Sequence, residues 1–219
     1  MIDTVGGEEH LASRLRQGDR EALAILFSRH RERLWRMVSF RMDPRLFSRV
    51  DPDDVLQEAY LASARRVDRY DTQAGMSPFV WLRMNVMQTL TDLHRHHLHV
   101  QKRGADREAA FCRLRNPQTT SVSLAAMLLG KFTSPSQAAA RAEILDRVER
   151  AIDAMEPLDR EVLALRHFEE LTNSEVAEVL GIQQKAASIR YVRAIERLKA
   201  AMSRLPEFSE GQSDGRPRR

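Results

Sequence analysis

Apolar residues recur along this chain at intervals of three and four, the spacing of one face of a helix. From Ala22 the series Leu23, Leu26, Phe27, His30, Leu34, Met37 and Val38 forms one stripe, and Asp19 stands where an N-cap belongs. Asp51-Pro52 opens a second helix, with the proline near its first turn and Val55, Leu56, Ala59 and Val67 as apolar contacts. Ser77-Pro78 opens a third. Phe79, Leu82, Val86, Leu90 and Leu93 line one side of it, and Trp81, Met84, Gln88, Asp92, Arg95 and His99 line the other. This helix is predicted to end near Lys102-Arg103-Gly104. From Gly104 to Ala140 the pattern lapses into Pro, Gly, Ser and Thr, which reads as a linker with a short helix across Leu124–Leu129. Periodicity resumes near Arg141 with Ile144, Leu145, Val148 and Ile152, then with Leu158, Val162, Leu163, Leu165 and Phe168. Thr172 followed by Glu175 is a capping box for a short helix that stops at Gly181. A last helix spans about Gln183 to Arg204, and the polar tail from Pro206 is predicted to be disordered.

The prediction is an all-α protein of two helical domains, residues 8–103 and 141–205, joined by a flexible linker at 104–140 and followed by the tail 206–219. Composition narrows it further. Only nine glycines and 6% aromatic residues argue against a β-rich fold or a glycine-loop nucleotide site. A single cysteine, Cys112, excludes a disulfide framework and a cysteine-rich zinc site, and it fits a reducing compartment. No apolar run is long enough to span a bilayer, and the first residues lack the pattern of a signal peptide, so a cytoplasmic protein is expected. His94, His96, His97 and His99 have no i,i+4 pair, so no metal site is expected among them. Neither a phosphate-binding glycine loop nor a serine-centred glycine elbow is present. The chain is expected to be neither an enzyme nor dependent on a cofactor.

Charge changes the picture through its distribution. The whole chain carries a net +4, whereas the last helix has Lys185, Arg190, Arg193, Arg197, Lys199 and Arg204 against the single acid Glu196. Projected at 100° per residue, Ala187, Tyr191, Ala194, Ile195, Leu198, Ala201 and Met202 share one face. Lys185, Ser188, Ile189, Val192, Arg193 and Arg197 fall away from it, and Arg190 lies at the border. A short helix, a turn glycine and a long basic helix form a helix-turn-helix pattern suited to the major groove, where Ile189 and Val192 can meet thymine methyls.

Two other clusters stand out. Asp53, Asp54, Gln57 and Glu58 gather at a helix start, where they suit a basic partner surface and equally suit the positive end of the helix dipole. The third helix combines Trp81 with Asn85, Gln88 and Asp92 and ends in Arg95, His96 and His99. An unstacked base needs an aromatic face and polar groups for its edge, which this set offers; Trp81 is equally a packing residue.

These residues carry a resemblance. Met155-Glu156-Pro157-Leu158-Asp159-Arg160-Glu161-Val162 resembles the start of sigma region 4, and Leu171-Thr172-Asn173-Ser174-Glu175 through Gly181 resembles its first helix-turn-helix element. Gln17-Gly18-Asp19-Arg20-Glu21-Ala22 resembles the opening of region 2, and Asp54-Val55-Leu56-Gln57-Glu58-Ala59-Tyr60 its clamp-docking segment. Phe79-Val80-Trp81-Leu82 with Asp92 resembles the strand-opening segment. The chain is thus similar to the extracytoplasmic-function sigma factors, the small two-domain subunits that give bacterial RNA polymerase its promoter specificity.

The resemblance implies core polymerase docking through Asp53, Asp54, Gln57 and Glu58. It implies minus-ten recognition and melting through Trp81, Asn85, Gln88, Asp92, Arg95, His96 and His99. It implies minus-thirty-five recognition through Lys185, Ser188, Ile189, Arg190, Arg193 and Arg197. The family carries asparagine where this chain has Gln88, and Asn85 stands nearby as a substitute. Implied partners are core RNA polymerase and promoter DNA, with an anti-sigma factor as a further candidate, no membrane, and a monomer when free. The rival reading is a stand-alone helix-turn-helix regulator that never contacts polymerase and binds palindromes as a dimer. A pure protein-binding adaptor is a third, and predicts no affinity for DNA.

Overall fold

The computed structural model describes residues 3–70, 75–99, 124–125 and 138–202. Among them every regular element is helical, as α-helix or single 3-10 turns. Two compact units form. The first is built on Met1–Gln118 and the second on the chain after it, apart from the short segments Phe168–Glu170 and Glu178–Gly181, which group with the first.

The first unit contains α1 (Asp3–Arg16), α2 (Arg20–Arg41), α3 (Pro52–Ala64) and α4 (Pro78–His99). Its helix starts are fixed by short polar side chains. Asp19 Oδ1 accepts from the backbone N–H groups of Glu21 at 2.8 Å and Ala22 at 3.2 Å, which caps α2. Asp51 and Asp54 form a reciprocal capping box at α3, with Pro52 in its first turn. Ser77 precedes Pro78 at α4, and its hydroxyl accepts from Val80 N–H at 3.4 Å. Helices α2, α3 and α4 pack mutually, and α1 packs on α2. Leu23, Leu26, Leu34 and Met37 of α2 meet Val55 and Leu56 of α3 and Leu82, Val86 and Leu90 of α4 in one buried core. The predicted apolar stripe of α2 is buried throughout.

The pattern of the sequence assigns no element before Gly18, yet α1 is there. Its apolar signal is short, and Leu11, Ala12 and Leu15 become buried because α2 lies alongside. Val67 is buried as predicted, but in a 3-10 turn (Val67–Arg69) beyond the end of α3.

The second unit contains α5 (Ala138–Asp153), α6 (Pro157–His167), most of α7 (Asn173–Leu180) and α8 (Gln184–Met202). Ile144, Val148 and Ile152 of α5, Val162, Leu163 and Leu165 of α6, and Ala187, Ala194 and Leu198 of α8 are buried. α8 packs on both α6 and α5. The capping box predicted at Thr172 is present. Thr172 N–H donates to Glu175 Oε2 at 2.7 Å, and Glu175 N–H donates to Thr172 Oγ1 at 3.2 Å. α7 then ends in a Schellman turn, with Ile182 N–H on the Ala177 carbonyl and Gly181 N–H on that of Glu178. Gly181 takes φ +63°, which explains glycine there.

Of the predicted linker helix, Leu124 and Ala125 are helical and buried, and the rest of it lies outside the described residues. So do Lys102, Arg103, Cys112, Arg204 and the tail.

Candidate functional site

The basic helix α8 is amphipathic in the sense the sequence predicts. Ala187 and Ala194 are fully buried, Leu198 nearly so, while Ile189 is 57% and Val192 is 53% exposed. Lys185, Ile189, Val192, Glu196 and Lys199 follow one another at steps of four and three and form the outward stripe. Exposed β-branched side chains on a basic helix are apolar contacts without an internal partner, and a groove lined with thymine methyls supplies one.

Other predicted residues on α8 are held from within. Asn173 Nδ2 donates to Ser188 Oγ at 2.9 Å, which ties the start of α7 to α8. Arg190 Nη1 donates to Asp159 Oδ1 at 2.8 Å and to Glu156 Oε2 at 3.1 Å. Arg193 donates from Nε to Asp159 Oδ2 at 2.8 Å and from Nη2 to Oδ1 at 2.7 Å. Arg197 Nη1 lies 3.8 Å from Asp159 Oδ2. Burial pushes the Asp159 carboxyl up, but the hydrogen bonds from Arg193 and Arg190 outweigh it and hold the group below the usual carboxylate range. Asp159 stands within the region-4-like run of the sequence, and nothing in the sequence assigns it a part in the chemistry. The signal was a lone acid in the first turn of a helix, which the helix dipole explains by itself.

On α3 the predicted acidic cluster divides by role. Asp54 Oδ2 accepts from Asp51 N–H at 3.2 Å, within the capping box. Asp53 forms an ion pair with Arg31 of α2, and both side chains remain more than half exposed. Gln57 and Glu58 are exposed one turn further on. A cleft of about 390 Å³ opens between α2 and α3 beside them. Phe27, Leu56 and Tyr60 form its apolar wall, and Arg31, Asp53 and Gln57 its polar rim. The structure therefore places Asp53 and Gln57 of the predicted cluster at the edge of an apolar hollow, an arrangement fitted to an apolar anchor with polar groups around it.

On α4 the structure corrects two expectations. Trp81 is 1% exposed, and its ring meets Tyr70 edge-on with centroids 5.4 Å apart. It is a core residue and offers no stacking face. Asn85 is 3% exposed, and its Nδ2 donates to the Trp81 carbonyl at 3.0 Å. It is committed to its own helix. Helical projection gives the angle of a side chain but not how widely neighbouring helices cover it. Both α2 and α3 pack against α4, and its outward stripe narrows to Met84, Gln88, Asp92 and His96. Gln88 Nε2 lies 3.1 Å and 3.0 Å from the two Asp92 carboxylate oxygens, and Arg95 Nη1 lies 3.5 Å from Oδ1. Gln88, Asp92, Arg95 and His96 thus stand together; the side chain of His99 lies outside the described residues. His94, on the inner side, is buried, and burial lowers its pKa. Among the described residues no group of three or more His, Cys, Asp or Glu is placed to hold a metal ion. No helix of the described residues is long and apolar enough to cross a membrane.

Comparison with known proteins matches both units to one family. The sigma-70 region 2 model matches residues 26–98, and the sigma-70 region 4 model matches residues 145–198. The chain belongs to the extracytoplasmic-function sigma factor family. It is an RNA polymerase sigma factor, and the reading as a stand-alone regulator is not favoured. The family consists of non-enzymatic transcription initiation factors, whose partners are core RNA polymerase and promoter DNA. Two curated relatives span nearly the same length. RNA polymerase sigma factor NccH of Alcaligenes xylosoxydans xylosoxydans is 24% identical over 198 residues, covering 89% of this chain and 94% of that protein. RNA polymerase sigma factor CarQ of Myxococcus xanthus is 24% identical over 192 residues, covering 88% and 95%. A solved structure of CnrH in complex with the cytosolic domain of CnrY is 23% identical, covering 94% of this chain and 99% of that one, at a TM-score of 0.48.

Proposed function

We propose a division of labour within this sigma factor by unit and by helix face. α8 enters the major groove at the minus-thirty-five element and reads it with Lys185, Ile189 and Val192, while Arg190, Arg193 and Arg197 lie behind that stripe toward Asp159. α3 docks on core polymerase through Gln57 and Glu58 beside the α2–α3 cleft. The outward stripe of α4, with Gln88, Asp92, Arg95 and His96, meets the minus-ten strand. Trp81 and Asn85 support this stripe from within the core. The chain acts in the cytoplasm as a monomer and without a cofactor. An anti-sigma factor stays among the proposed partners; its signature is a protein that removes the chain from core polymerase and silences transcription.

The observation that carries the reading is the outward stripe of α8, apolar at Ile189 and Val192 and basic at Lys185 and Lys199. Phosphate contacts supply affinity, and base-edge contacts supply choice, so a helix that mixes the two is equipped for sequence-specific duplex binding. The test is run-off transcription by reconstituted holoenzyme over fragmented genomic DNA. Discrete transcripts whose upstream elements tolerate no change, and that vanish with Lys185→Glu, are expected. Transcripts insensitive to every α8 substitution would refute the assignment.

A further inference from the structure

One buried carboxylate pairs with the arginines of α8. The Asp159 side chain is 0% exposed, at the start of α6, and it faces three arginines of α8. Arg193 holds it with the Nε–Nη2 edge of its guanidinium, and Arg190 adds a third hydrogen bond at 2.8 Å. Glu156, 56% exposed, lies over the same pair at 3.1 Å and 3.3 Å. An ionised carboxylate is buried at heavy cost unless it is paired and hydrogen-bonded, so these contacts are maintained in the folded unit. The consequence appears at the surface. An arginine makes its bidentate contacts to a phosphate or a guanine through two parallel N–H groups. The Nε–Nη2 edge of Arg193 is already turned inward on Asp159. The exposed α8 side chains near its start are Gln184, Lys185, Ile189 and Val192.

We propose that Asp159 is a specificity-determining residue of this face: it holds Arg190 and Arg193 back from phosphates of arbitrary sequence and leaves discrimination to the outward stripe of α8. The inference rests on the assignment of α8 to the duplex given above. Its logic is one of ratio. Phosphate contacts strengthen binding to every duplex alike, whereas base contacts strengthen binding to one. A device that limits the first without touching the second raises specificity at some expense of affinity.

The test compares holoenzymes made with the wild-type chain, Asp159→Asn, Asp159→Glu and Glu156→Gln. Each is titrated onto a duplex carrying its selected promoter and onto one with a scrambled minus-thirty-five element, across a salt series. Asp159→Asn keeps the shape and removes the charge. It is expected to bind the scrambled duplex more tightly and to lose discrimination. Its plot of log affinity against log salt is expected to steepen by about 0.9 for each arginine that reaches a phosphate. Asp159→Glu keeps the charge and is expected to retain the wild-type ratio. Glu156→Gln, at an exposed position, is expected to move the ratio the same way by less. A salt slope and ratio unchanged in Asp159→Asn and Glu156→Gln alike would overturn the proposal. So would an equal loss of affinity for both duplexes, the mark of a purely structural ion pair. Failure of the underlying reading looks different: the wild-type holoenzyme itself would not distinguish the two duplexes.

Discussion

Gly18 joins α1 to α2 with φ +77°, a conformation that costs other L-residues about 1–2 kcal/mol. A Cβ there would stand 2.7 Å from Asp68 Oδ1, although that carboxylate is the free end of a side chain and can swing aside. Backbone strain is therefore the durable part of the cost. Gly18→Ala is expected to destabilise the first unit by about 1–2 kcal/mol in denaturant titration, and Gly18→Asn by less, since asparagine tolerates the left-handed region. His94 gives a pH-dependent counterpart. Its Nε2 accepts from Asp43 N–H at 3.3 Å, which requires an unprotonated nitrogen. Burial lowers its pKa below the ordinary 6.5; the nearby Asp43 carboxylate raises it and Arg45 lowers it, and burial prevails. A folded pKa below the unfolded one means that the unfolded chain takes up the proton first. The contribution is complete above about pH 6.5 and is lost as pH falls through that value toward the folded pKa. Thermal midpoints followed from neutral to mildly acidic pH are expected to fall more steeply for wild type than for His94→Gln. Parallel curves would contradict this.

At the scale of elements, the helices announce themselves through their caps and their apolar spacing. Asp19, Asp51, Ser77 and Thr172 each stand at a helix start as the sequence suggests, because capping depends on a short polar side chain and its next three residues. The inward face of α8 is equally legible, since Ala187, Ala194 and Leu198 repeat at helical spacing on a helix covered from one side. What depends on distant residues is not legible. Trp81 and Asn85 look outward on a helical wheel and are buried because two helices flank α4. Arg193 looks free, and its carboxylate partner lies 34 residues away in sequence. α4 thus separates packing from recognition along one helix. Trp81→Ala is expected to cost about 3–5 kcal/mol of stability, the range for an aromatic lost from a core. Gln88→Ala, on the exposed stripe, is expected to leave stability within about 0.5 kcal/mol of wild type. It should nevertheless lower the rate of promoter opening by holoenzyme, read as permanganate reactivity of unpaired thymines. A Gln88→Ala holoenzyme that opens promoters at the wild-type rate would remove the α4 stripe from the minus-ten interface.

For the molecule as a whole, the two units serve one event through different chemistry, so their defects are separable. A rim charge acts mainly on association rate and on its salt dependence. Glu58→Arg leaves every described hydrogen bond of α3 in place and is expected to slow assembly with core polymerase, most strongly at low salt. Asp54→Arg is a poorer probe of the same surface. It also removes half of the α3 capping box, worth about 1 kcal/mol, and confounds docking with folding. Lys185→Glu on α8 is expected to assemble with core at the wild-type rate and then to lose the transcripts that depend on the minus-thirty-five element. Tethering through one polymerase converts two weak contacts with promoter DNA into a joint one, so either defect alone is expected to reduce run-off transcription far more than it reduces binding by its own unit. Stopped-flow assembly and run-off transcription, measured on the same three variants, separate these outcomes. Loss of core assembly in Lys185→Glu, or normal assembly in Glu58→Arg, would place the docking surface elsewhere than α3.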